Sequence, residues 1–71
     1  METVRKQFAD NLRLQRVQAG LSQEALADRC GLHRTEISLL ERCRRSPRLE
    51  TIVILSRGLQ LAPGLLLEGI I

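Results

Sequence analysis

Tryptophan and tyrosine are absent from this 71-residue chain, and phenylalanine occurs once. A core built on stacked rings is therefore excluded, and an aliphatic one of Leu, Ile, Val and Ala is required. No apolar run approaches the ~20 residues that a membrane-spanning helix needs. The N-terminal METVRKQFADN also lacks the apolar stretch of a secretory signal. The expected location is cytoplasmic, with no membrane partner. Two cysteines, Cys30 and Cys43, are too few for a disulfide framework. They lie near His33 in sequence, but a structural zinc site takes four ligands and no fourth stands at ligand spacing, so no metal and no cofactor is expected. One histidine, no nucleophile–base pair and no glycine-rich phosphate loop argue against an enzyme.

What is present is positive charge in one place. The net charge is only +3, but six arginines (29, 34, 42, 44, 45 and 48) stand between residues 29 and 48 against two acids, Glu36 and Glu41. That segment carries +4 and the remainder of the chain −1. A charge concentrated in this way is the electrostatic footprint of a polyanion site.

Apolar spacing predicts five helices and no sheet, in one domain spanning residues 1–71. The first runs from about Thr3 to Ala19, with Val4, Phe8, Leu12 and Ala19 on its inner face and Leu14 and Val17 pointing the other way. Asn11 and Gln15 fall on the inner face, against the apolar pattern. Gly20 is placed to end this helix in the left-handed conformation. Ser22 is the expected N-cap of helix two, which stops at Gly31. Only Leu32 then separates Gly31 from His33, the cap of helix three, and so short a turn forces a steep crossing. Helix three, about Arg34 to Arg42, sends Ile37 and Leu40 inward and shows Arg34, Thr35, Ser38, Leu39 and Arg42 on the opposite arc. Glu36 is expected to reach back to the cap. Helix four, about Leu49 to Leu59, has the stripe Leu49, Ile52, Leu55 and Leu59. Helix five is the short apolar run from about Pro63 to Leu67, and the chain closes on Gly69-Ile70-Ile71. The apolar excess in this last third, including Val53 and Ile54, exceeds what a small core covers and points to a protein interface.

Arginine can bond guanine O6 and N7 bidentately, and threonine and serine can meet bases or phosphates, so the exposed arc of helix three suits a DNA major groove. At these residues the chain resembles the phage-repressor-like helix-turn-helix family, the lambda repressor and Cro type, also called the xenobiotic-response-element family. The resemblance rests on Phe8, Leu12, Arg13 and Arg16, on GLSQEALA at 20–27, Gly31, RTEISLLER at 34–42, RRSP at 44–47 and LETI at 49–52. Size and the segment LHRTEISLLER also resemble the controller proteins of restriction–modification systems within that family.

The resemblance implies an all-α, compact five-helix lambda-repressor-like fold with the helix-turn-helix at helices two and three. It implies base contacts from Arg34, Thr35, Ser38 and Leu39, and phosphate contacts from Gln23, Arg42, Arg44 and Arg45. It also implies a structural pair between Arg16 and Glu41. Cys43 stands where the family commonly has glycine, so that turn is expected to be strained. Ile54 and Leu65, often charged in the family, are apolar here and with Leu66, Ile70 and Ile71 form the expected dimer interface. The implied function is a homodimeric, sequence-specific transcriptional regulator that binds double-stranded DNA at a roughly palindromic operator. The alternative on the same fold is a module that binds a protein partner, such as an antitoxin.

Overall fold

The computed structural model describes residues 2–70, and four α-helices account for most of them. They are α1 (Glu2–Gln18), α2 (Gln23–Cys30), α3 (Arg34–Glu41) and α4 (Leu49–Gly58). The segment expected as a fifth α-helix is instead a 3₁₀ turn, Pro63–Leu67. Its sequence PGLLL is only five residues long and carries Gly64, which is costly to order in a helix, so a regular α ladder does not establish. No strand occurs among the described residues.

Phe8 and Leu12 of α1, Leu26 and Ala27 of α2, Ile37 and Leu40 of α3, Leu55 and Leu59 of α4 and its C-cap, and Leu66 of the 3₁₀ turn form one buried cluster. Fully burying an aliphatic or aromatic side chain of this size contributes about 1.5–3 kcal/mol. Leu66 was expected at a dimer interface, but it is completely buried within the protomer and belongs to this core. Leu49, expected on the core stripe, is 75% exposed. It is the first residue of α4, where a side chain leans back over the preceding turn and away from the packed centre. Ala19 lies one residue past the end of α1 and is exposed. In its place Ala9 is buried beside Phe8. Leu14 and Val17 are exposed, as their spacing predicts.

The ends of the helices repeat one device. A residue with positive φ follows each helix: Gly20, Gly31, Cys43 and Gln60. The next N–H then reaches back five residues, from Leu21 to Arg16, Leu32 to Ala27, Arg44 to Leu39 and Leu61 to Ser56, at 2.8–3.1 Å. These are Schellman caps, which satisfy carbonyls that a helix end leaves open. In three of them the residue donating this bond is a leucine packed against the core: Leu21, Leu32 and Leu61. After α3 the same place holds Arg44, which is exposed.

Candidate nucleic-acid interface

The α2–α3 unit is set by its caps. Ser22 Oγ accepts from the Ala25 N–H at 3.0 Å and starts α2, and Gly31 at φ 67° ends it. Leu32 turns into the core between Gly31 and the cap of α3. With Ile37 and Leu40 both buried, α3 has one rotational setting on the body of the protein. Arg34, Thr35 and Arg42 are exposed in that setting, and Ser38 and Leu39 are half-buried. Arg44 and Arg45 are exposed in the loop that follows. An open groove beside this loop is lined by Thr3, Lys6, Arg42, Cys43 and Arg44. The helix opens on Arg34 and its far end is ringed by arginines, so the potential along this face favours a polyanion.

An ionic joint underneath holds the helices in register. Arg16 Nε donates to Glu41 Oε2 at 2.6 Å and Nη2 to Oε1 at 3.0 Å, while Nη1 donates to the Leu21 carbonyl at 2.8 Å. Their side chains are 13% and 3% exposed. The fork-on-carboxylate geometry repays desolvation because each polar group has a partner. Hydrogen bonding to Glu41 raises the Arg16 pKa above its ordinary value against the opposing effect of burial. Gln23 joins the same carboxylate, its Nε2 donating to Glu41 Oε1 at 3.1 Å. The first residue of α2 is thereby tied to the last of α3.

One contact departs from the sequence-based expectation. His33 caps α3 by backbone geometry without a side-chain bond, and Glu36 does not reach back to it. Glu36 Oε1 instead accepts from Arg45 Nη1 at 2.5 Å, across the loop. The guanidinium offers a stronger, charge-assisted bond than the cap's backbone N–H. Cys43, at φ 62°, occupies the left-handed region at a position where glycine is free of strain.

The expected partner-facing residues divide. Ile54 and Leu65 are 36% and 42% exposed, together with Leu67 at 41%. Ile70 is half-buried against the core, Leu66 is inside it, and Ile71 lies outside the described residues. No helix among the described residues is long and apolar enough to cross a membrane.

Sequence reasoning missed the Glu36–Arg45 pair, since nine residues and a turn separate the partners. The role of Asn11 was missed as well, although its place on an apolar face was the available signal.

A family model described as helix-turn-helix matches residues 12–66. Over 56 residues the chain is 43% identical to control protein C.SmaI of Serratia marcescens, a match covering 79% of this chain and 67% of that protein. A hypothetical transcription factor, NHTF, from Neisseria superposes with a TM-score of 0.87 at 43% identity, covering 94% of this chain and 78% of the solved one. In sequence the chain spans 58% of the full Neisseria meningitidis protein. The restriction–modification controller protein C.Esp1396I, solved as a tetramer with its natural 35 base-pair operator, superposes at 0.84 with 26% identity. That match covers 92% of this chain and 86% of the neighbour.

Proposed function

Because this chain belongs to the helix-turn-helix family of DNA-binding transcriptional regulators, we propose that it acts as a homodimer on a roughly palindromic operator. The regulated genes on this reading are those of a restriction–modification system, which the name of the controller protein C.Esp1396I suggests. The observation that carries it is the exposed arc of α3, where Arg34 and Thr35 stand clear of the protein while Ile37 and Leu40 anchor the opposite side. Arg34 and Thr35, with Ser38 and Leu39 behind them, read base edges, and the Leu39 side chain suits a thymine methyl. Arg42, Arg44 and Arg45 hold backbone phosphates, joined by the second amide N–H of Gln23. So few readers on one protomer require a second copy for useful discrimination, with the two α3 helices about 34 Å apart in successive major grooves. Ile54 and Leu65 are the exposed apolar residues assigned to the two-fold contact, with Ile70 at its edge.

Selection of bound duplexes from a random DNA pool tests this reading. A palindromic consensus is the expected result, and recovery of unrelated sequences overturns it. Leu14 and Val17, 54% and 58% exposed on α1, favour as second reading a protein partner on the same fold. Sedimentation separates the two: a homodimer supports the first, and a monomer that binds DNA poorly supports the second.

A further inference from the structure

The Glu36–Arg45 pair lies at the edge of the proposed reading face. Glu36 is in the first turn of α3, two residues from Arg34, and its side chain is 24% exposed. Arg45 comes from the loop beyond α3 and is 52% exposed. The pair opens on a cleft shared with Leu32, Ser46, Arg48 and Thr51. An acid placed there is unfavourable for DNA affinity on charge alone, because it sits among arginines whose task is to meet phosphates. It would serve binding only through what it does to its partner. A guanidinium carries five N–H donors in a planar fork, and the contact with Glu36 uses one edge while leaving donors for another acceptor. Arginine otherwise holds its charge on a flexible stem, and ordering that stem on binding is costly.

We propose that Glu36 is a positioning residue for sequence-specific binding: it pre-orders Arg45 so that the free edge of the guanidinium meets one backbone phosphate when α3 is seated in register. This rests on the proposed DNA-binding reading and adds a role for an acid that the basic face does not otherwise need. The phosphate is the ligand of Arg45, and Glu36 touches only Arg45. In non-specific complexes α3 is not seated, the ordered guanidinium has no matching phosphate, and the carboxylate subtracts from backbone attraction. Glu36 thus raises the ratio of specific to non-specific affinity from both sides.

The test uses the full chain, a duplex selected by the wild-type protein and a random-sequence duplex of equal length, titrated at several salt concentrations. Glu36→Ala is expected to weaken binding to the selected duplex about tenfold. The same substitution should tighten binding to the random duplex. Glu36→Gln keeps an oxygen acceptor for Arg45 and should recover part of the specific loss, which a general effect on folding would not produce. In an Arg45→Ala background, Glu36→Ala should no longer weaken specific binding. If Glu36→Ala tightens binding to both duplexes, the acid is only a surface charge and the inference is overturned. If the wild-type protein does not distinguish the two duplexes, the DNA-reading proposal itself fails, a result separate from the behaviour of the variants.

Discussion

The carboxamide of Asn11, in the middle of α1, donates to the carbonyl of Leu66, 55 residues later, at 3.0 Å, and to that of Glu68 at 2.8 Å. Its oxygen accepts from Gln7 Nε2 at 3.0 Å. One buried side chain thereby satisfies two carbonyls that the 3₁₀ turn cannot pair internally, and it brings Leu66 into the core. Asn11→Leu leaves the buried Leu66 carbonyl without this partner, at a cost of about 1–3 kcal/mol, and the part-buried Glu68 carbonyl to water. The expected outcome is a marked loss of stability in urea unfolding, with faster amide exchange after residue 62. Unchanged exchange there would show that the turn holds without Asn11.

The Arg16–Glu41 joint gives the largest expected effect of a single truncation. Removing either partner leaves a nearly buried charge uncompensated, which costs about 3–5 kcal/mol. Glu41→Ala should therefore unfold at far lower denaturant than the wild type. Arg16→Met with Glu41→Leu should be less damaging than either charged truncation alone. If the double variant shows the sum of the single losses, the residues act independently.

The four helix ends predict opposite signs for glycine at different places. Cys43→Gly and Gln60→Gly relieve left-handed strain and should each raise stability by about 0.5–1 kcal/mol, whereas Gly31→Ala should lower it by about 1 kcal/mol. Thermal melts of the three variants decide this, and a loss in Cys43→Gly would mean that its side chain contributes more than its backbone costs.

Where α2 meets α4 the limit is space. A methyl group added at Gly58 would lie 2.5 Å from Cys30 Sγ. Gly58→Ala should cost about 1–3 kcal/mol by overpacking, with recovery when combined with Cys30→Ala. Burial pushes the Cys30 thiol above its ordinary value, only partly countered by the charge of Arg29. A folded-state pKa raised above the unfolded one means that this contribution is complete below the unfolded value of 9.0 and is lost as pH rises through the folded one. Stability should fall more steeply above pH 9.0 in the wild type than in Cys30→Ala. Parallel pH profiles of the two proteins would exclude it.

On the DNA side, Arg34→Ala should relax base preference at one position per half-site and cost about 1–3 kcal/mol. Arg44→Ala should instead weaken binding to all sequences and make the salt slope shallower by about 0.9 per protomer. Band-shift series on selected and random duplexes distinguish the two. Equal loss on both duplexes from Arg34→Ala would remove it from the readers.

The helix-turn-helix was legible because its signals are local. Ser22, Gly31 and the spacing of Ile37 and Leu40 each act within a turn or two of their own position. The C-terminal third was misread where the same periodicity was extended too far. Leu49 continues the helical stripe arithmetically but stands beyond the edge of the core. Leu66 looked surplus because the depth that α1 and α4 leave between them is a property of packing, not of composition. The side-chain bonds of Glu36 and Asn11 join residues brought together only by the completed fold. The Arg16–Glu41 contact was anticipated through family resemblance, since partners 25 positions apart in the chain carry no local signal for it.

The cap after α3 has a mechanical consequence. Elsewhere a leucine plugs the corresponding turn into the core, but here the main-chain bond from Arg44 to the Leu39 carbonyl closes the turn and leaves Arg44 outward. The offset between the residues proposed to read bases and Arg44 is therefore gauged by backbone geometry. On the proposed reading, exchanging residues 34, 35 and 38 should change the preferred sequence without moving Arg44. A single residue inserted between Leu39 and Arg44 would break the five-residue hydrogen bond and, on the proposed reading, carry the arginines out of step with the groove.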